Sequence, residues 1–305
     1  MSRIVFFNHF HNGDLHISRG IVSKIIDKVR QIDPTTQFSY AHVNDRGLVS
    51  DISNLSFDPI SMRTIDQFEN LQTRGNATYI NTWYAQQHHK YMNRHGMTID
   101  CLYEALDDTC KTHWNFSLSD ISSDLSSFYP SIDYSKFYIQ NVKDWLVAYP
   151  QQKVFVSNGL AMSGQAVNFQ MTPIIAELAK RHSEKIFILS NDEGNFPLPS
   201  NVFYSKDIIK KQSGSDLNEN SFITTFCDLI IGRASGAFSY AWTRQNMIER
   251  NTKFLCFCGP GVVVYPPHQF WTRGIFSDKI KYSAEFVVSS EIDANAVKNI
   301  IENHL

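Results

Sequence analysis

The chain contains no run of about 18 consecutive apolar residues, so no segment offers itself as a membrane-spanning helix. No signal peptide is expected either, because Met1-Ser-Arg-Ile-Val-Phe-Phe7 leads directly into an apolar strand. A cytoplasmic protein with at most peripheral membrane contact is expected. A marked net charge is missing too. The 28 Lys and Arg are matched by 30 Asp and Glu, which leaves no basic excess to hold nucleic acid. Cysteine is sparse, with five residues (Cys101, Cys110, Cys227, Cys256, Cys258) at irregular spacing. A zinc site would need a further pair at ligand spacing, so buried reduced thiols are expected instead. Internal repeats and low-complexity tracts are absent. So are the P-loop lysine and the Rossmann dinucleotide fingerprint.

What is present is an alternation of apolar strands and amphipathic helices. A length of 305 residues suits about two domains, each with its own core. Ile4 to Phe7 reads as a buried parallel strand, and Asn8 to Asp14 as a turn. The segment Leu15 to Arg30 reads as a helix with Leu15, Ile21, Val22, Ile25, Ile26 and Val29 on one face. Phe38 to Val43 would complete a β-α-β unit. From Asp51 to Thr112 the pattern is weaker, with a strand end at Tyr79 to Trp83 and then a His- and Gln-rich helix reaching Tyr91. Ser117 to Tyr134 reads as a loop with short helical turns, Phe137 to Tyr149 as a helix, and Pro150 to Lys153 as a linker.

The second half restarts the rhythm. Strands are expected at Lys153 to Ser157, Lys185 to Ser190, Val202 to Tyr204, Leu229 to Ile231 and Phe254 to Cys258. Helices are expected at Thr172 to His182, with threonine capping and proline in the first turn, at Asn218 to Phe226, and at Asp293 to Asn303. The fold class is therefore α/β, as two Rossmann-like domains facing one another across a cleft. The boundaries are 1–150, 151–290 and a C-terminal helix in 291–305.

Two turns carry most of the chemistry. Cys227 to Ala241 reads as strand, tight turn and helix start, which presents backbone N–H groups to a phosphorylated ligand. Arg233, Ser235 and Gly236 add donors or close approach there. At the other end of the chain, Gly13-Asp14 sets a carboxylate at the junction of strand and helix. It can cap that helix or act as a general base. His9, His11, Asn12, His16 and Arg19 crowd the same mouth. His11 is itself a plausible base, because imidazole titrates near neutrality. His9, His11, Asp14 and His16 could alternatively ligate a metal, and His88-His89 is read as a solvated or cleft-lining pair. Ser157 to Gly164 is a loop of small residues that a phosphate can approach closely. Asn191 to Gly194 either contacts a ribose or sugar, or is a solvated turn.

Together these motifs resemble glycosyltransferases of the GT-B architecture, most nearly the bacterial lipopolysaccharide heptosyltransferases. The matching segments are Phe7-Asn-His-Phe-His-Asn-Gly13-Asp14, Val154-Phe-Val-Ser-Asn-Gly159, Ile230-Ile-Gly-Arg-Ala-Ser235-Gly236-Ala and Phe257-Cys-Gly259-Pro260. They span both halves in the family's order. The chain departs from the family at Ala234-Ser235-Gly236, where the pattern is Asp-Thr-Gly, and in lacking the lysine of the second-domain loop. The resemblance implies an inverting transfer from a nucleotide-sugar to a hydroxyl of a glycan or glycolipid. Asp14 or His11 would be the base, and Asn12, Gly13, His16 and Arg19 would line the acceptor site. Asn158, Gly159, Asp192, Glu193, Arg233, Ser235 and Gly236 would hold the donor. No Asp-x-Asp pair occurs, so a reaction without metal or other cofactor is expected. A sugar-nucleotide epimerase of the same architecture and a non-catalytic nucleotide- or glycan-binding protein are the rivals.

Overall fold

The computed structural model describes residues 2–9, 12–43, 46–58, 65–66, 68–87, 90–91, 98–162, 164–194, 196–259, 283–288 and 293–305. They fall into two compact units, the first ending at Asp133 and the second starting at Tyr134.

Unit one comprises β1 (Arg3–Phe7), α1 (Asn12–Ile32), β2 (Gln37–Ala41), β3 (Leu55–Asp58), β4 (Leu71–Arg74), β5 (Ala77–Asn81) and α2 (Thr98–Trp114). The strand order is β3-β2-β1-β5-β4, parallel except for the β4–β5 hairpin. β1 is central and covered on both faces, which is why Ile4 to Phe7 is a continuous apolar run rather than an alternating one. The expected stripe on α1 is buried in full. α1 packs on α2 and on the turn Leu125–Phe128. A Cβ at Gly20 would lie 2.5 Å from the Tyr129 carbonyl oxygen and closer still to that of Phe128. Only glycine lets the loop cross the helix in backbone contact. The Ser- and Asp-rich loop forms short 3-10 turns capped by Ser117 and Asp124, as its composition suggests. In the weakly patterned region, Tyr84–Gln87 is a 3-10 turn. His88 and His89 lie outside the described residues.

Unit two comprises α3 (Gln140–Ala148), β6 (Lys153–Ser157), α4 (Thr172–Arg181), β7 (Ile186–Leu189), β8 (Val202–Tyr204), α5 (Ser205–Ile209), α6 (Leu217–Thr224), β9 (Leu229–Arg233), α7 (Gly236–Ser239), β10 (Lys253–Cys258), β11 (Ser283–Val288) and α8 (Ala294–Glu302). All its strand pairs are parallel, in the order β11-β10-β9-β6-β7-β8. Alternate side chains of the sheet (Val154, Val156, Phe187, Leu189, Leu229, Ile231, Leu255, Phe257) pack on Ile175 and Leu178 of α4 and on Val297 and Ile301 of α8. Burying each such side chain fully is worth about 1.5–3 kcal/mol. α3 is fastened here, since Asn141 Nδ2 donates to the Ile209 carbonyl at 3.1 Å and Trp145 and Tyr149 pack edge-on to Phe203. Pro150 to Lys153, expected as a linker, thus joins α3 to β6 within unit two. Among the described residues no helix is long and apolar enough to cross a membrane. All five cysteines are buried and free, and the Cys256 and Cys258 sulfurs lie 3.8 Å apart, as alternate positions of one strand should.

Candidate functional site

In a parallel α/β sheet, ligands settle at the carboxyl edge where the strand order reverses direction. In unit two that point lies between β6 and β9. From β6 the chain moves outward to β7 and β8, and from β9 it moves the other way to β10 and β11. The residues flanking the crevice are therefore Asn158 and Gly159 after β6, and Ala234, Ser235 and Gly236 after β9. Gly159, Ser235 and Gly236 are half-buried and reach the surface. Gly232 sits beside Ser157 in the ladder, and a Cβ there would come 3.0 Å from Ser157 Cβ and nearer to the Phe238 ring. Its absence lets α7 settle onto the sheet edge. Ser235 is the N-cap of α7, and its Oγ accepts from the Phe238 N–H at 3.3 Å. α7 is a single turn, so the donors it offers are its own first N–H groups rather than the dipole of a long helix.

Arg233 is fully buried and acts as a clamp beneath this edge. Its Nη1 donates to the carbonyls of Asn158 and of Gly159, the latter at 2.8 Å, and its Nη2 donates to Glu193 Oε1 at 3.3 Å. Its guanidinium also lies over the Phe169 ring, 4.9 Å from the centroid. Burial pushes its pKa down, and the Glu193 carboxylate opposes that. Glu193 Oε2 accepts from both N–H and Oγ1 of Thr172, at 2.7 and 2.8 Å. The expected threonine cap is thereby corrected. Met171 holds the N-cap position of α4, and Thr172 lies within the first turn, where a carboxylate from another loop serves the free N–H. Asn158 is also fully buried. Its Oδ1 accepts from the Ser190 hydroxyl and the Asn191 N–H, and its Nδ2 donates to the Asn191 carbonyl. The side chains of Arg233, Glu193 and Asn158 thus lash three loops together, and their influence on a ligand passes through the backbone they hold. Asp192 stands apart, exposed and paired with Lys206 at 2.8 Å, with its pKa lowered by that bond. Leu160 and Met162, in the loop beyond Gly159, expose apolar surface.

In unit one the order reverses between β1 and β5. The turn after β1 leads into Asn12, Gly13 and Asp14 in the first turn of α1, where Asp14 is the acidic residue and half-buried. His11 lies outside the described residues. Behind this turn is a buried polar cluster that sequence reasoning did not single out. Tyr40 Oη is reached by Asn8 Nδ2 at 2.8 Å, Ser18 Oγ at 3.0 Å and Thr82 Oγ1 at 2.8 Å. Burial pushes the Tyr40 phenol up to about 12, and the charge of Asp14 adds to the rise. Ser39 and Tyr40 side by side near the carboxyl end of β2 were the available signal. His16 and Arg19 are placed inside the unit rather than at its mouth. Arg19 Nη1 lies 3.3 Å from His16 Nδ1, and Nη2 donates to the Leu48 carbonyl and to Asp51 Oδ1, at 3.0 and 2.5 Å. In a helix burying both flanks of its stripe, positions 16 and 19 face inward with Leu15 and Val22. His9 lies edge-on to Phe7, its pKa lowered by burial with Asp66 opposing. No group of three or more His, Cys, Asp or Glu that could hold a metal occurs among the described residues.

No protein-family profile matches the chain, and no curated protein does. Similar solved structures exist. The glycosyl transferase family 9 protein of Veillonella parvula is 11% identical at TM-score 0.49, over 99% of this chain and 89% of that one. UDP-GlcNAc 2-epimerase of Neisseria meningitidis, bound to UDP-GlcNAc, is 10% identical at TM-score 0.33, over 84% of this chain and 82% of that one. The E. coli heptosyltransferase WaaC, solved with ADP-2-deoxy-2-fluoro heptose, is 13% identical at TM-score 0.49, and the match covers 100% of both chains.

Proposed function

We propose that this chain is a GT-B glycosyltransferase that moves a sugar from a nucleotide-sugar to a hydroxyl of a glycan or glycoconjugate. The observation that carries the reading is topological. Each unit has its own mostly parallel sheet, and the two turns that carry most of the chemistry fall at the switch points, Asp14 in unit one and Ser235-Gly236 in unit two.

The donor diphosphate is assigned to the backbone of Gly159 and of Ser235 to Ala237, with Leu160 and Met162 offering apolar surface to the nucleoside. Asp14 accepts the proton of the acceptor hydroxyl as its oxygen attacks the anomeric carbon. The bond from that carbon to the diphosphate breaks on the opposite face, giving inversion. Charge gathers on the departing diphosphate in the transition state, and preorganised N–H donors there lower the barrier. Those donors suffice in this reading without a cation.

The test is a thermal-shift screen with ADP, UDP, GDP and their sugars, with and without EDTA, followed by assay of Asp14→Asn. A ligand that binds only the folded state raises the melting temperature. One nucleotide should do so selectively and regardless of EDTA. The Asp14→Asn protein should keep that shift while losing turnover by about 10²–10⁴-fold. Absence of any nucleotide shift sinks the reading, and turnover of the donor without acceptor turns it into the epimerase.

A further inference from the structure

Unit one carries an open groove of about 580 Å³ that none of the residues discussed above accounts for. It lies where the β4–β5 hairpin meets α2, on the carboxyl side of β5, because Asn70 precedes β4 and its carbonyl accepts from Asn81 at the end of β5, at 2.9 Å. Its volume falls within the range of small-molecule sites. Its lining has two characters. Tyr84 is half-buried and set edge-on to Tyr91, ring centroids 6.1 Å apart, which gives an aromatic wall. Lys90 and Asp108 border this wall, with Lys90 Nζ 4.9 Å from the Tyr91 ring centroid, and Asn70, Lys111 and Thr112 complete the lining.

The polar side is built to receive hydroxyl groups. Asn70 Nδ2 donates to Thr109 Oγ1 at 2.8 Å, and that hydroxyl's proton goes to the Ala105 carbonyl at 2.9 Å. This chain of donors fixes the orientation of the amide and leaves Asn70 Oδ1 buried, with no donor among the described residues. An acceptor in that state is costly unless something supplies a hydrogen. Lys90 pairs with Asp108, and the Tyr91 hydroxyl donates to the same carboxylate at 3.0 Å. The Lys90 and Asp108 side chains remain 56% and 39% exposed; Lys111 pairs with Asp107 at 2.6 Å yet remains 54% exposed, and its ammonium has two further N–H donors beyond that pair. A ligand with a flat C–H face for Tyr84 and several hydroxyls for the polar groups around it suits this lining, and that is a pyranose.

We infer that this groove is a saccharide subsite, taking a glycosyl unit of the acceptor away from the reacting hydroxyl. The inference deepens the transferase reading and rests on it for the word acceptor, but the binding of sugar does not. Its readout is saturation-transfer NMR on the whole protein with the methyl glycosides of glucose, galactose, N-acetylglucosamine and glucuronic acid. At least one should show transfer in the wild type at millimolar concentration. Tyr84→Ala and Lys111→Ala should each weaken it by tenfold or more with the melting temperature held. Lys111 is mostly exposed, so its variant reports on the groove even if Tyr84→Ala folds poorly. No transfer from any of the four, or transfer unchanged in Lys111→Ala, overturns the subsite. Nucleotide shifts without saccharide transfer would remove the groove and leave the transferase standing. Saccharide transfer without any nucleotide shift would keep the groove and remove the transferase.

Discussion

Arg19 in unit one and Arg233 in unit two are both buried, yet they hold different things. Arg19 springs from a helix and closes on a carboxylate that is itself buried, the two side chains being 0% and 3% exposed. The other oxygen of Asp51 accepts from the Asp133 N–H at 3.1 Å. The result is a charge-balanced knot that ties α1 to two loops. Arg233 springs from a strand end and spends two of its bonds on carbonyl oxygens, sharing Glu193 with the first turn of α4. Its clamp lies on the loop that would meet a ligand. Loss of the first arginine should therefore be read in folding, and loss of the second in binding as well.

The largest effect is expected at Arg19. Arg19→Met leaves Asp51 buried without a counter-charge, a class of change that costs about 3–5 kcal/mol. Urea unfolding should show it, and adding Asp51→Asn should restore part of the loss. Arg233→Met should cost less, about 1–3 kcal/mol, because Glu193 loses its bond from Nη2 but keeps both bonds to Thr172, and the two carbonyls lose a donor rather than a buried counter-charge. The nucleotide-induced thermal shift should shrink in Arg233→Met and persist in Arg19→Met. The opposite pattern would break the comparison.

Much of this was readable in the sequence where spacing and chemistry agree. The stripe from Leu15 to Val29, the apolar strands of unit two and the turn at Ser235-Gly236 need only local pattern. The direction of a polar side chain did not follow. Arg233, Glu193, His16 and Arg19 are residue types that usually meet solvent, and what turns them inward is a partner distant in sequence, such as Asp51 for Arg19. The region around α2 was obscure for a related reason. Its buried positions include Asp100 and Thr109, so the apolar pattern of the helix is broken by polar atoms that only tertiary contacts satisfy or leave costly.

One glycine in each unit sharpens the comparison at a smaller scale. At Gly20 an added Cβ meets two backbone oxygens of the crossing loop, which cannot rotate away. Gly20→Ala should cost about 1–3 kcal/mol by overpacking, with no change in nucleotide affinity per folded molecule. At Gly232 the nearest obstacle is the Phe238 ring, which can tilt. Gly232→Ala should therefore cost less in unfolding. It should cost more in the nucleotide shift, because Phe238 is the residue whose N–H Ser235 caps. Equal shifts in the two variants would detach the α7 turn from the donor site.

The smallest effect per step is in pH dependence, where the units again differ. Asp100 in α2 is buried, its Oδ1 finds no donor among the described residues, and burial with the nearby Glu104 pushes its pKa up to about 8. Asp216 in unit two is also raised by burial, but its own N–H and Asn220 act against the rise. An acid whose pKa is higher folded than unfolded binds more protons in the native state between those two values. Stability then falls as pH rises through that window, here from about 4 to about 8, by at most ~1.4 kcal/mol per pH unit for one proton. Below the window the carboxyl is protonated in both states and costs nothing. Asp100→Asn should flatten the fall seen in urea midpoints between pH 5 and pH 8 (about one proton's worth), and Asp216→Asn should flatten it less. A wild-type midpoint that does not fall over this range would mean that Asp100 finds a hydrogen-bond donor in solution. Unit one would then be as well satisfied beneath its sheet as unit two.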